Sequence, residues 1–108
     1  MSRADREGCG MRAGRIDANQ PEIVAAFRRL GCTVAITSNV RDGFPDIVVG
    51  FRGINLLVEI KDGSKIPSAR KLTPDEQKFH DNWKGGAVIV ESVDDVVALI
   101  NGLERKAA

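Results

Sequence analysis

Gly43-Phe44-Pro45-Asp46-Ile47-Val48-Val49-Gly50-Phe51-Arg52-Gly53-Ile54-Asn55-Leu56-Leu57-Val58-Glu59-Ile60-Lys61 contains two apolar runs hinged at Arg52-Gly53. Pro45 fits the entry to a strand, where no ladder donor is needed. Arg52-Gly53 is a turn candidate, weaker than Asn-Gly. Folded there, the stretch becomes a hairpin of strands 46–51 and 54–61. Phe51 then faces Ile54, Val49 faces Leu56, and Ile47 faces Val58, so apolar meets apolar on one face. The same register sets Asp46 opposite Glu59. The two-residue period of a strand puts Lys61 on the Glu59 face.

Two carboxylates facing each other across a sheet repel. A divalent cation between them turns that cost into a binding site, and hard oxygen ligands suit Mg²⁺ or Mn²⁺. A lysine beside such a cation can orient a water and help deprotonate it. The cation lowers the water's pKa and neutralises charge building on a phosphate. The bland alternative is a solvent-facing hairpin carrying an ordinary Glu–Lys pair. Val48 and Leu57 on the same face argue against it, because that face is not simply wet.

Outward from the hairpin, the elements follow helical and strand spacing in turn. Pro21, Ile23, Val24, Phe27 and Leu30 predict a helix over 20–30, closed by Gly31. Residues 32–37 read as a strand with Val34 and Ile36 on one face, and 38–44 as a loop. The segment 62–72 is a basic loop. Thr73-Pro74-Asp75-Glu76 is a helix start with a capping box, and Phe79 and Trp83 give that helix its apolar stripe. Gly85-Gly86 ends it. Residues 87–91 form a fourth strand. Ser92 opens a last helix with Val93, Val96, Val97, Ile100 and Leu103 on its apolar face. The order is αβββαβα, an α/β chain with no internal repeat and no second domain.

The chain has 108 residues, 43% of them hydrophobic and 29% charged, with a net charge of +1. That composition fits one folded core and excludes global disorder. The charge balance does not by itself advertise a nucleic-acid partner. Cys9 and Cys32, the two cysteines, read as ordinary thiols of a reducing compartment, and together with His80 they lack zinc-site spacing. A single His on a helix among aromatics reads as packing or surface. No run reaches the roughly 18 apolar residues of a membrane span, and no signal peptide is recognisable. The expectation is a cytoplasmic protein with no membrane and no small-molecule cofactor. Residues 1–18, with Arg3, Arg6, Arg12 and Arg15, read as a flexible arm.

Pro45-Asp46, twelve residues, then Glu59-Ile60-Lys61 resembles the PD-(D/E)XK nuclease signature. The match sharpens towards the VRR-NUC branch, particularly its stand-alone phage and bacterial members. Those share Asn-Gln-x-Glu, Gly-x-Pro-Asp, Val-Glu-x-Lys and Leu-Thr-Pro-x-x-Gln. Here these read Asn19-Gln20-Pro21-Glu22, Gly43-Phe44-Pro45-Asp46, Val58-Glu59-Ile60-Lys61 and Leu72-Thr73-Pro74-Asp75-Glu76-Gln77. The resemblance spans about 15–103. The short Asp–Glu–Lys motif is weakly specific; the four motifs in order are strongly so.

The resemblance implies a restriction-endonuclease-like αβββαβ core with an additional C-terminal helix and a mixed four-stranded sheet. It implies one nuclease domain over 19–105. By it, Asp46, Glu59 and the Ile60 carbonyl would hold Mg²⁺ or Mn²⁺, joined by Glu22, and Lys61 would position the attacking water. Glu22 also has a plain reading as a first-turn carboxylate favoured by the helix dipole. Gln77 matches a glutamine that some relatives place beside the site. RecB-like relatives carry a tyrosine four residues later, where this chain has Asp81. Lys65, Ser68, Arg70 and Lys71 border the motif and are the expected DNA contacts, with the arginine arm a second candidate. Without aromatic interleaving, backbone and shape recognition is expected, weakening steeply with salt.

By the same resemblance, the expected activity is metal-dependent endonucleolytic cleavage of branched DNA, as a homodimeric Holliday junction resolvase in the cytoplasm, or the host cytoplasm if phage-encoded. A twofold dimer would supply the two cuts that symmetric resolution needs. Flap or restriction-like cutting on the same scaffold, and a non-catalytic nucleic-acid-binding module, are the alternatives.

Overall fold

A computed structural model describes residues 16–107, which form a four-stranded mixed sheet with three α-helices. The chain runs α1 (Gln20–Arg29), β1 (Thr33–Ile36), β2 (Ile47–Phe51), β3 (Ile54–Ile60), α2 (Pro74–Asn82), β4 (Ala87–Val90) and α3 (Val93–Ala107). A 3-10 turn at Pro67–Arg70 interrupts the loop before α2. Spatial order follows chain order, β1-β2-β3-β4. The first three strands form an antiparallel meander, while β4 runs parallel to β3. A parallel neighbour needs a crossover, and the 3-10 turn with α2 supplies it.

The hairpin register is the expected one: Phe51 faces Ile54, Val49 faces Leu56 and Ile47 faces Val58. Its turn has positive φ at both Arg52 (48°) and Gly53 (83°), matching the twist of the flanking strands. Arg52, an unusual residue for that conformation, is held on both sides. Its guanidinium lies 5.1 Å from the Phe51 ring centroid and 3.2 Å from Glu104 of α3.

One sheet face is sealed by α1 and α3. Ile23, Val24 and Phe27 from α1 meet Ile47, Val49, Val58 and Ile60 from the sheet and Val96 and Ile100 from α3. Cys32 joins that core as a free thiol, its pKa pushed up by burial. The other face carries Val48, Leu57 and Glu59. There α2 is held by aromatic contacts rather than by a sealed layer. Phe79 stacks on Trp83 at 4.9 Å between ring centroids, and Phe44 meets Phe79 edge-on at 5.3 Å.

Three local expectations are corrected. Val34 is half-buried, but Ile36 is 58% exposed, because β1 is an edge strand and Ile36 lines an open recess beside Gln20, Pro21, Val24 and Arg28 of α1. Trp83 is 44% exposed rather than a core residue. The helix also ends at Asn82, before Gly85-Gly86, because Trp83 turns to extended backbone (ψ 128°). Of the expected arm, residues 1–15, with Cys9 and the four arginines, lie outside the described residues. Asp17 belongs to the folded body: its carbonyl accepts from Gln20 N–H at 3.0 Å, and its carboxylate lies 3.8 Å from Lys65 Nζ. No helix among the described residues is long and apolar enough to cross a membrane.

Candidate functional site

Asp46 enters the sheet directly after the fully buried Pro45. The Thr37 hydroxyl donates to the Pro45 carbonyl at 2.8 Å, and Thr37 N–H donates to the Asp46 carbonyl at 2.8 Å. With its backbone fixed, Asp46 turns its side chain across to β3, where Oδ2 accepts the Ile60 N–H at 2.7 Å. This is the cross-strand approach that the register requires of Asp46 and Glu59.

Glu59 of β3 lies two residues before Lys61, which follows the strand's end and continues its ladder to Val90, so the two share a face. Glu59 is only 2% exposed, and its Oε1 is buried with no hydrogen-bond partner among the described residues. Burial first, then the neighbouring Asp46 and Glu76 carboxylates, push its pKa up to about 9. Burial likewise raises Asp46, although the Ile60 N–H opposes it. A carboxylate ionised in such a place is destabilised until a cation meets it.

Lys61 is clamped at its backbone. Its N–H donates to the Val90 carbonyl at 3.0 Å, and its carbonyl accepts from Asn19 Nδ2 at 3.0 Å. Asn19 also donates to the Glu91 carbonyl at 3.3 Å. It thereby pins the start of α1 to the ends of β3 and β4 and makes no side-chain cap of its own helix. The Lys61 ammonium donates to Glu76 Oε1 at 2.8 Å and lies 3.7 Å from Glu59 Oε2. Burial lowers the lysine's pKa, but the Glu76 hydrogen bond together with the charges of Glu76, Glu59 and Asp17 outweighs it and holds the group above its ordinary value. Lys61 is therefore a firmly protonated donor and a poor base. Burial raises Glu76, but Lys61 and the Thr73 N–H outweigh that and hold it ionised.

Glu59, Lys61 and Glu76 line a cleft of about 1260 Å³ that also takes in Ile60, Lys65, Ser68 and Lys71, while Asp46 lies behind its lining, bonded to the Ile60 N–H. The other expected residues lie elsewhere. Arg70 is half-buried and donates from Nη1 to Glu91 at 2.9 Å. Gln77 is exposed on α2 and donates to Asp81 at 2.9 Å, one helical turn on. Asp81 thus holds Gln77 on the exposed side of the helix. Glu22 lines a separate recess of about 520 Å³ with Asn19, Asp62, Glu91 and Asp95. His80 packs beside Phe79, 6.1 Å between ring centroids.

Sequence reasoning missed Glu76 as a site residue. Its place in the capping box explained it fully, and nothing in the spacing tied α2 to Lys61. The donor set that remains for a hard cation is Asp46, Glu59 and the Ile60 carbonyl. The orphaned Glu59 Oε1 fits such an ion, since a buried unmatched acceptor costs about 1–3 kcal/mol. Among the described residues, no three His, Cys, Asp or Glu side chains stand together as a ready cation cage, so a bound ion would need ligands from the backbone, water or substrate. No known protein family, curated protein or solved structure matches the chain.

Proposed function

We propose that the chain is a divalent-metal-dependent endodeoxyribonuclease with a PD-(D/E)XK core of the VRR-NUC type, acting on branched DNA. The observation that carries this reading is the buried, unpartnered Glu59 Oε1 beside Asp46, with the Lys61 ammonium on the same face. A structural hairpin has little reason to retain two facing carboxylates, one of them raised to about 9. A phosphodiester hydrolase has one, because a cation meets both and restores their charge.

Asp46, Glu59 and the Ile60 carbonyl would hold Mg²⁺ or Mn²⁺. When bound, such an ion lowers the pKa of a water and screens the charge that builds on the phosphate. Lys61, held by Glu76, would offer a positive donor to the water or the phosphate oxygens. Lys65, Ser68 and Lys71 line the same cleft and would take backbone phosphates there. Arg70, Gln77 and Glu22 are not part of this proposed site. A homodimer would present two such clefts, the number that paired nicks in a four-way junction require.

The test is a panel of four-way junction, flap, duplex and single-stranded DNA, with Mg²⁺, Mn²⁺ or EDTA, against wild type and Asp46→Asn. Wild type should cut only with the divalent ion, giving symmetric paired nicks in the junction. Asp46→Asn should lose cleavage by more than about 100-fold while still binding the junction. Full cleavage by that variant would overturn the assignment. Cutting confined to flaps would keep the chemistry and replace the substrate.

A further inference from the structure

Glu76 Oε1 accepts two hydrogen bonds at once, each 2.8 Å long: one from the Thr73 backbone N–H and one from the Lys61 ammonium. A capping box needs only the first. The second reaches 15 residues back along the chain to a lysine whose side chain is 12% exposed, and the next anionic oxygen is Glu59 Oε2 at 3.7 Å. Lys61 thus stands between two carboxylates, and the closer one belongs to a helix on the far side of the cleft. Removing the Glu76 carboxylate leaves Glu59 Oε2 as the nearest carboxyl oxygen. The ammonium would then close on Glu59 Oε2 and compete for the carboxyl group that a cation needs.

We infer that Glu76 is a positioning residue that holds the Lys61 ammonium off Glu59, so that the first turn of α2 sets the geometry of the carboxylate pair. The kinetic part of this inference rests on the nuclease reading; the structural part does not. The helix cap and the lysine anchor share one oxygen, so local loosening of α2 would disarm the site without disturbing the sealed core under α1 and α3.

The experiment combines side-chain NMR of lysine Nζ in the metal-free full chain with cleavage kinetics on the same proteins. The Lys61 signal, assigned by its loss in Lys61→Arg, should exchange slowly in wild type. It should vanish in Glu76→Ala, persist in Thr73→Ala, which removes only the cap hydroxyl, and return in Glu76→Gln, which keeps an acceptor oxygen. With Mn²⁺, Glu76→Ala should lose about 10- to 100-fold in kcat, the scale of a misplaced group, with KM for DNA little changed and Glu76→Gln largely restored. The inference is overturned if the signal survives in Glu76→Ala, if Thr73→Ala erases it equally, or if Glu76→Ala cuts at the wild-type rate. If wild type cuts no DNA at all, the nuclease reading fails and the NMR comparison alone decides the anchor.

Discussion

Glu59 is the residue whose environment makes the sharpest demand. Its pKa rises from 4.5 to about 9 on folding, so between those values the folded state holds a proton that the unfolded chain has released. Stability of the metal-free protein is therefore greatest at the low end of that window and falls as pH rises through it, by at most about 1.4 kcal/mol per pH unit. Asp46, also raised, acts with the same sign. Glu76, lowered, acts oppositely: its contribution is lost as pH falls below its ordinary 4.5. Glu59→Gln keeps the neutral shape and removes the titration. Urea unfolding from pH 5 to 9 should show a flatter profile for this variant than for wild type, and higher stability at the alkaline end. Identical slopes in the two proteins would refute the assignment of the pH dependence to Glu59. At this scale the hairpin trio was legible because a strand register is arithmetic: once Phe51 faces Ile54, Asp46 must approach Glu59. Arg70, Gln77 and Glu76 were not legible, because each choice of partner is tertiary. Arg70 found Glu91, Gln77 found Asp81, and Glu76 found Lys61.

Element α2 shows how a locally strong signal can leave its docking unread. Thr73-Pro74-Asp75-Glu76 announced the helix start, and the capping box forms as expected, with Glu76 N–H donating to the Thr73 hydroxyl at 3.2 Å. The apolar stripe misled, since Phe79 and Trp83 sit on an aromatic clasp with Phe44 and leave the indole half in water. What lets the clasp close is Gly43. It has φ +79°, and a Cβ there would collide with the Asp75 backbone at the start of α2. Gly43→Ala therefore faces both a left-handed backbone and a contact that cannot give, together about 2 kcal/mol or more. The chain has one tryptophan, so the outcome is easily read. Gly43→Ala should shift Trp83 emission to the red and lower the urea midpoint, while the far-UV spectrum keeps its sheet, α1 and α3. Wild-type emission and midpoint would mean that the loop and α2 do not depend on this close approach.

At the scale of the whole molecule, the proposed substrate raises the question of what would draw a polyanion to a chain of net charge +1. The cleft does not do so by excess charge. Arg41, Lys61, Lys65 and Lys71 are matched there by Asp17, Asp42, Asp75 and Glu76, beside the proton-holding Glu59. Lys61 is tied to Glu76, Lys65 lies 3.8 Å from Asp17, and Arg70 has left for Glu91. Such a surface offers few cations to phosphates, so the steep salt dependence expected from the basic loop is revised downwards. With two or three phosphate contacts, the slope of log K against log salt should be about −2 to −3. The missing attraction is what a divalent ion between Asp46 and Glu59 would supply. Junction binding in EDTA should accordingly be weak, and Ca²⁺, which replaces the charge without serving as the expected catalytic metal, should tighten it by about tenfold or more. Asp46→Asn, with half the carboxylate pair neutralised, should gain less from Ca²⁺ than wild type. Fluorescence anisotropy with a labelled four-way junction over a salt series, with and without Ca²⁺, measures all three quantities. Tight binding in EDTA with a slope steeper than about −5 would move the DNA away from this cleft, and a chain with Arg3, Arg6, Arg12 and Arg15 replaced by glutamine would then show whether those arginines carry it.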